Sequence, residues 1–234
     1  MWIKICGITS IEDAQVAIAA EADAVGFVFA ASPRRATPEA VREITRAIPF
    51  NVEKIGVFVD SSLDEIVATF ETAGLTGVQL HGEYSPGDLL ELRQRMKQKF
   101  LPVRVVYVVP YDGNSNGFAR RLQSLAAMPD SDDGPSAVLV DTRVGEKVGG
   151  TGIPFDWGAA QAVFRQHAAN LRLIAAGGLR PENARQAIQT MQPWGVDVCS
   201  GVESVPGKKD HQRVKQFIRA SRAAAIEFAE AAQR

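Results

Sequence analysis

Arg172-Leu173-Ile174-Ala175-Ala176-Gly177-Gly178-Leu179-Arg180-Pro181 and, further on, Val196-Asp197-Val198-Cys199-Ser200-Gly201-Val202 decide the fold. Each stretch opens as a short apolar run and closes on glycine. Pro181 then starts a helical segment, since proline suits a first helical turn. The same unit recurs upstream, with apolar runs at 2–6, 24–29, 54–59, 77–80, 103–108 and 137–140. Helical segments follow each of them. Ser10 with Asp13 three positions on, and Thr37 before Pro38, read as helix starts in which a side-chain oxygen caps the first turn. Further helices are predicted over 62–73, from Ser85-Pro86 to 99, over 118–127, after Asp156, and over 210–231.

The apolar runs are rich in Val and Ile and nearly continuous, without polar alternation. Strands buried on both faces read this way, as in parallel sheets covered by helices. Eight strand–helix units predict an α/β protein, a single (β/α)8 TIM barrel spanning residues 1–234 as one domain. A doubly wound sheet uses the same units and is the alternative. The segment Pro129-Asp130-Ser131-Asp132-Asp133-Gly134-Pro135 lies between a helix and a strand and reads as a surface loop.

Composition narrows the function classes. The chain has 234 residues, with 26 Lys+Arg against 27 Asp+Glu and 46% hydrophobic residues. A formal net charge of −1 gives no electrostatic case for nucleic acid or an anionic membrane. No apolar stretch approaches the roughly 20 residues that span a bilayer, and the first residues lack the apolar core of a signal peptide. Two cysteines, Cys6 and Cys199, make neither a disulfide framework nor a metal cluster by spacing. The expectation is a cytoplasmic protein with reduced thiols and no metal.

In a (β/α)8 barrel the site forms where the strands end. Cys6-Gly7, Ser32-Pro33-Arg34-Arg35, Asp60, His81-Gly82, Asp141-Thr142, Gly177-Gly178 and Cys199-Ser200-Gly201 all follow strands and so share one mouth. Glycine lets backbone N–H groups approach a ligand, and paired loops after strands seven and eight form the usual barrel phosphate site. Gly177, Gly178, Ser200 and Gly201 are therefore candidate phosphate contacts, and a small phosphorylated molecule is the expected ligand. Most cysteines are buried and inert, but Cys6 sits beside a glycine at the mouth, where its thiol faces the ligand. Service as a base would need nearby cations or helix N-termini to lower its pKa. Cys199 reads as a small packing residue. Asp141 could pair a cation, cap a helix or act as an acid, which would need an apolar or anionic setting. Four glycines in Gly145-Glu146-Lys147-Val148-Gly149-Gly150-Thr151-Gly152 suggest a flap over the site. Asp60 is expected to cap the helix near Ser62. A base and an acid across a barrel mouth suit an isomerisation.

Lys4-Ile5-Cys6-Gly7-Ile8-Thr9, Gly26-Phe27-Val28-Phe29 with Ser32-Pro33-Arg34, Gly77-Val78-Gln79-Leu80-His81-Gly82, Asp141-Thr142 with Gly149-Gly150-Thr151-Gly152, Gly177-Gly178-Leu179, and Asp197-Val198 with Ser200-Gly201-Val202-Glu203 resemble the phosphoribosylanthranilate isomerase family. The set runs in order from the first strand to the last helix. The resemblance implies an Amadori rearrangement in tryptophan biosynthesis, without a cofactor, by a monomer or homodimer. It implies Asp141 as general acid, Cys6 as general base, and Arg34 as the grip on the anthranilate carboxylate, with Arg35 beside it as the other candidate. It places the phosphate at the Gly178 and Ser200-Gly201 backbone. Cys199 stands where serine is common in that family. His81 and Asp197 face the same mouth, as substrate contacts or as supports of their strands. Two other readings use the same loops. One is a barrel that also isomerises the histidine-pathway aminoaldose, which resembles this chain but carries Asp where Cys6 stands. The other is a phosphate-binding barrel without turnover.

Overall fold

The structure is a computed structural model that describes residues 1–99, 103–128, 135–144, 147–148 and 156–232. Its strands are β1 (Trp2–Ile5), β2 (Ala24–Val28), β3 (Glu53–Val59), β4 (Gly77–His81), β5 (Arg104–Tyr111), β6 (Ala137–Val144), β7 (Lys147–Val148), β8 (Leu173–Ala175), β9 (Gly195–Val198), β10 (Glu203–Val205) and β11 (Lys208–Lys209). The helices are α1 (Ile11–Ala19), α2 (Pro38–Arg46), α3 (Leu63–Ala73), α4 (Pro86–Gln98), α5 (Ser115–Ala126), α6 (Trp157–Ala168), α7 (Ala184–Met191) and α8 (His211–Ala232). The strands run in the order β5-β4-β3-β2-β1-β9-β8-β6, and β5 pairs with β6, which closes the sheet. Every pairing around this ring is parallel. This is the predicted (β/α)8 barrel rather than the open doubly wound sheet, because closure removes both edges.

Side chains alternate across each strand. Ile3 and Ile5, Val78 and Leu80, Val138 and Val140, and Val196 and Val198 point outward into the layer between barrel and helices. The opposite set fills the interior. Trp2, Ala24, Ile55, Val106, Leu139 and Ile174 make a dry floor. Below it, Trp2 stacks on Trp194 at 5.4 Å, and the Arg104 and Arg172 guanidinium groups lie over the Trp194 ring. The next inward residues are polar. Lys4 follows Trp2, Asp141 follows Leu139, and Gln79 and Asp197 are buried on their strands. The barrel is thus oil-like at one end and charged at the other.

The helix starts follow the sequence signals. Ser10, Thr37, Ser62, Ser85 and Asp156 each accept a hydrogen bond from a backbone N–H in the first turn of their helix. Three expectations are corrected. Ser62, not Asp60, caps α3; Asp60 instead has φ 49° and accepts from the Glu83 N–H. The helix expected from Pro181 begins at Ala184, because the Asn183 side chain accepts from the Arg180 N–H and donates to the Gly178 carbonyl, folding 180–183 into a turn. The sixth strand does not end at Asp141 but runs to Val144 and pairs antiparallel with β7. Apart from Pro135, the expected surface loop at 129–135 and, apart from 147–148, the expected flap at 145–152 lie outside the described residues.

Candidate active site

The site begins with the register of β1 and β9. Lys4 pairs with Asp197, and Ile5 with Val198. One step further, Cys6 and Cys199 follow their strands side by side, both inward by alternation. The Lys4 Nζ lies 2.8 Å from Asp197 Oδ2 and donates to Gln79 Oε1 at 2.8 Å. The Lys4 side chain is fully buried. Burial alone would push its pKa down, but Asp197 and Cys6 beside it outweigh that and hold the ammonium above the ordinary lysine range.

Cys199 was expected to be a packing residue; instead its thiol is hydrogen-bonded to Cys6. That bond and the nearby Lys4 and Lys209 draw the Cys6 thiol down to about 7 against the opposing effect of burial. The same contact, together with burial, pushes Cys199 well above the ordinary thiol value. The two thiols are therefore not equivalent. Cys6 is the one drawn towards ionisation, and Cys199 beside it keeps its proton, with its Sγ 4.0 Å from Glu203 Oε1.

Gly7 makes the room. With φ 73° it takes a backbone conformation that suits glycine, and a Cβ there would lie 2.7 Å from Arg34 Cδ and 2.9 Å from Cys199 Sγ. Arg34 reaches this point from the loop after β2. Its Nε and Nη2 donate to the two Glu203 carboxylate oxygens at 2.8 and 2.6 Å. The Lys209 Nζ closes the cluster at 2.9 Å from Glu203 Oε1. Burial works against the Glu203 charge, yet Arg34 and Lys209 hold its pKa below the carboxylate norm. Arg35 points elsewhere. It lines a cavity with Phe29, Phe58 and Glu65 between α2 and α3.

His81 ends β4, with its Nε2 at 2.9 Å from Gln79 Nε2. Burial, and then the Lys4 charge, lower its pKa to about 4, so its ring is neutral near pH 7. Asp141 sits in β6 in register with Pro110 and is buried. Among the described residues Asp197 Oδ1 is buried and finds no hydrogen-bond donor, which leaves an acceptor inside the mouth.

The two glycine loops meet. Gly177 and Gly178 have φ 76° and 64°, and Ser200–Val202 form one short 3₁₀ turn. A Cβ at Gly201 would lie 1.8 Å from the Leu179 carbonyl oxygen, so the backbones of the loops touch. Gly201→Ala is expected to cost about 1–3 kcal/mol by forcing them apart. Urea unfolding measures this, and an unchanged midpoint would mean that the loops do not depend on that contact.

The predicted residues Cys6, Arg34, His81, Gly177, Gly178, Ser200 and Gly201 thus all lie at the C-terminal ends of barrel strands or in the loops that follow them, and Asp141, within β6, is level with Pro110 near the end of β5. The sequence reading assigned no role to Lys4, Gln79, Glu203 or Lys209. One signal was present: Lys4 interrupts an apolar run two residues from Cys6, on the same face of its strand.

A mouth of this kind, with an ionisable thiol, buried carboxylates and a backbone cradle on one closed barrel, is that of a (β/α)8-barrel enzyme. The chain belongs to the N-(5'phosphoribosyl)anthranilate (PRA) isomerase family, whose model matches residues 3–220. It is 43% identical over 217 residues to the N-(5'-phosphoribosyl)anthranilate isomerase of Geobacter sp. (strain M21), covering 92% of this chain and 95% of that one. The crystal structure of phosphoribosyl anthranilate isomerase from Thermotoga maritima superposes with a TM-score of 0.79 at 36% identity, covering 95% of this chain and 99% of that one. A structure of the isomerase in complex with reduced 1-(o-carboxyphenylamino)-1-deoxyribulose 5-phosphate superposes with a TM-score of 0.76 at 35% identity, over the same shares of the two chains.

Proposed function

We propose that this chain converts N-(5-phosphoribosyl)anthranilate to 1-(2-carboxyphenylamino)-1-deoxyribulose 5-phosphate, the Amadori rearrangement of tryptophan biosynthesis. The observation that carries the reading is Cys6, a thiol drawn towards ionisation, on the same barrel mouth as Asp141 and the paired glycine loops. In this reading the loops of Gly177-Gly178 and Ser200-Gly201 take the phosphate through backbone N–H groups. Asp141 protonates the furanose ring oxygen, and the ring opens to a Schiff base. Cys6 removes the C2′ proton, and the resulting enolamine tautomerises to the ketone. The rearrangement is proton-neutral overall, so the chain's own acid and base suffice. His81, neutral at pH 7, and the unpartnered Asp197 oxygen bind the sugar as uncharged donor and charged acceptor.

Arg34 takes the anthranilate carboxylate. Glu203 occupies the Nε–Nη2 edge of its guanidinium, which aims the Nη1–Nη2 edge at the ligand. Arg34→Ala is expected to raise KM by about 10- to 100-fold, the equivalent of losing one charge-assisted pair. A KM unchanged in steady-state assays would remove Arg34 from the substrate site. Taking the chain as cytoplasmic, with a small phosphorylated substrate as its partner, rests on two points. Among the described residues no helix is long and apolar enough to cross a membrane, and the mechanism needs Cys6 reduced.

The decisive experiment is growth without tryptophan of a strain lacking this isomerase, with wild-type chain and Cys6→Ala compared. Assaying the purified protein on the histidine-pathway aminoaldose separates the dual-substrate alternative, in which that second substrate would also turn over. A pure binding barrel would support no growth.

A further inference from the structure

We propose that Lys4 is a positioning residue of this site, holding the Cys6 sulfur as thiolate on one side and fixing the proton of His81, through Gln79, on the other. The proposal rests on the reading that Cys6 is the general base.

An ammonium has three N–H donors. Two acceptors of Lys4 are Asp197 Oδ2 and Gln79 Oε1, and the Cys6 sulfur lies two residues along the same strand face, close enough that a Cβ at Gly26 would meet Cys6 Sγ at 2.8 Å and Lys4 Cε at 2.9 Å. No water reaches it, since the side chain is fully buried. A cation in such a place is costly unless anions surround it. Asp197 supplies one negative charge and a Cys6 thiolate would supply another. The groups facing Cys6 are Lys4 on its own strand, Asp197 and Cys199 from β9 and its loop, Lys209 from β11, and Arg34 from the loop after β2. Of the three cations, Lys4 and Lys209 are both buried, but Lys209 and Arg34 are each paired with Glu203, whereas Lys4 shares the inward face of β1 with the sulfur and stands ahead of Lys209 among the charges that favour its thiolate.

The second arm follows from donor bookkeeping. Because Gln79 Oε1 accepts from Lys4, the Gln79 amide turns its NH2 towards His81. The His81 Nε2 must then accept, and the single ring proton sits on Nδ1. One buried cation thereby sets both the charge of the base and the donor face of a neutral imidazole. A purely structural Lys4, present only to neutralise Asp197, would do neither.

The test reads the thiol and not turnover. Alkylation of Cys6 by iodoacetamide is followed against pH by peptide mass spectrometry, in the parent, Lys4→Met and Lys4→Arg. The parent is expected to give a midpoint near 7. Lys4→Met should raise it by about one pH unit or more, a tenfold loss of thiolate at fixed pH. Lys4→Arg, which keeps the charge, should restore part of that loss. Lys4→Met leaves Asp197 alone in the interior; if it does not fold, Lys4→Met/Asp197→Leu removes both charges and should still raise the midpoint, by less than the single variant, because the Asp197 charge opposes ionisation of Cys6 less strongly than Lys4 favours it. A midpoint unmoved in either folded variant overturns the proposal, and so does a parent midpoint at the ordinary thiol value of about 8.5. Failure of the general-base reading is seen separately, as full activity of Cys6→Ala, and leaves the titration result intact.

Discussion

Replacing Cys6 with alanine is expected to lower turnover by about 10²- to 10⁴-fold, the usual scale for losing one positioned base. The side chain is small, so the barrel should keep its melting temperature within a few degrees. The pH profile should carry the signature of the same group. Cys6 is drawn to about 7 by the Cys199 hydrogen bond and by Lys4 and Lys209. The thiolate is the working form, so kcat/KM should fall about tenfold per pH unit below that midpoint. Above it this limb should level off. Steady-state kinetics across pH 5–9 would check both points. A parent without an acid limb near 7, or a Cys6→Ala variant with full activity, would assign the base elsewhere.

Asp141→Asn is the second large effect. Asn keeps the shape and can donate a hydrogen bond, but it has no proton to transfer to a ring oxygen. Turnover is expected to drop by about 10²- to 10⁴-fold. KM should change far less, because the binding groups, Arg34 and the glycine loops, are untouched. The parent and variant should unfold alike in urea. Equal kcat values for the two would remove Asp141 as the acid.

Much of this molecule is legible in the sequence. Eight apolar runs without alternation told of strands buried on both faces, and the barrel has them. Serine, threonine and aspartate oxygens before the helices told where five of them start. The residues at the strand ends told where the mouth lies. What stayed hidden was set by partners distant in the chain. Ser62 and Asp60 compete for one helix start, and only the contact between Asp60 and Glu83 decides it. Asn183 delays α7 past Pro181 by accepting from the Arg180 N–H and donating to the Gly178 carbonyl, both just before that proline. The clearest case is Cys199. On its own it reads as a filler, and the in-register pairing of β9 with β1 places it against Cys6. Arg34 likewise reads as an open cation until Glu203, far along the chain, takes one edge of it.

The pairing of β1 with β9 also bears on how the chain comes off the ribosome. The first strand finds one of its two neighbours, β2, early, but the other lies almost at the far end of the sequence. At about 5–20 residues per second, synthesis of the intervening segment takes about 10–40 s. For that interval Lys4 has no Asp197 and Cys6 no Cys199. The nascent thiol stays uncovered, with an ordinary pKa, until β9, the last strand of the barrel ring, arrives. The closure that completes the barrel is thus also the event that arms it.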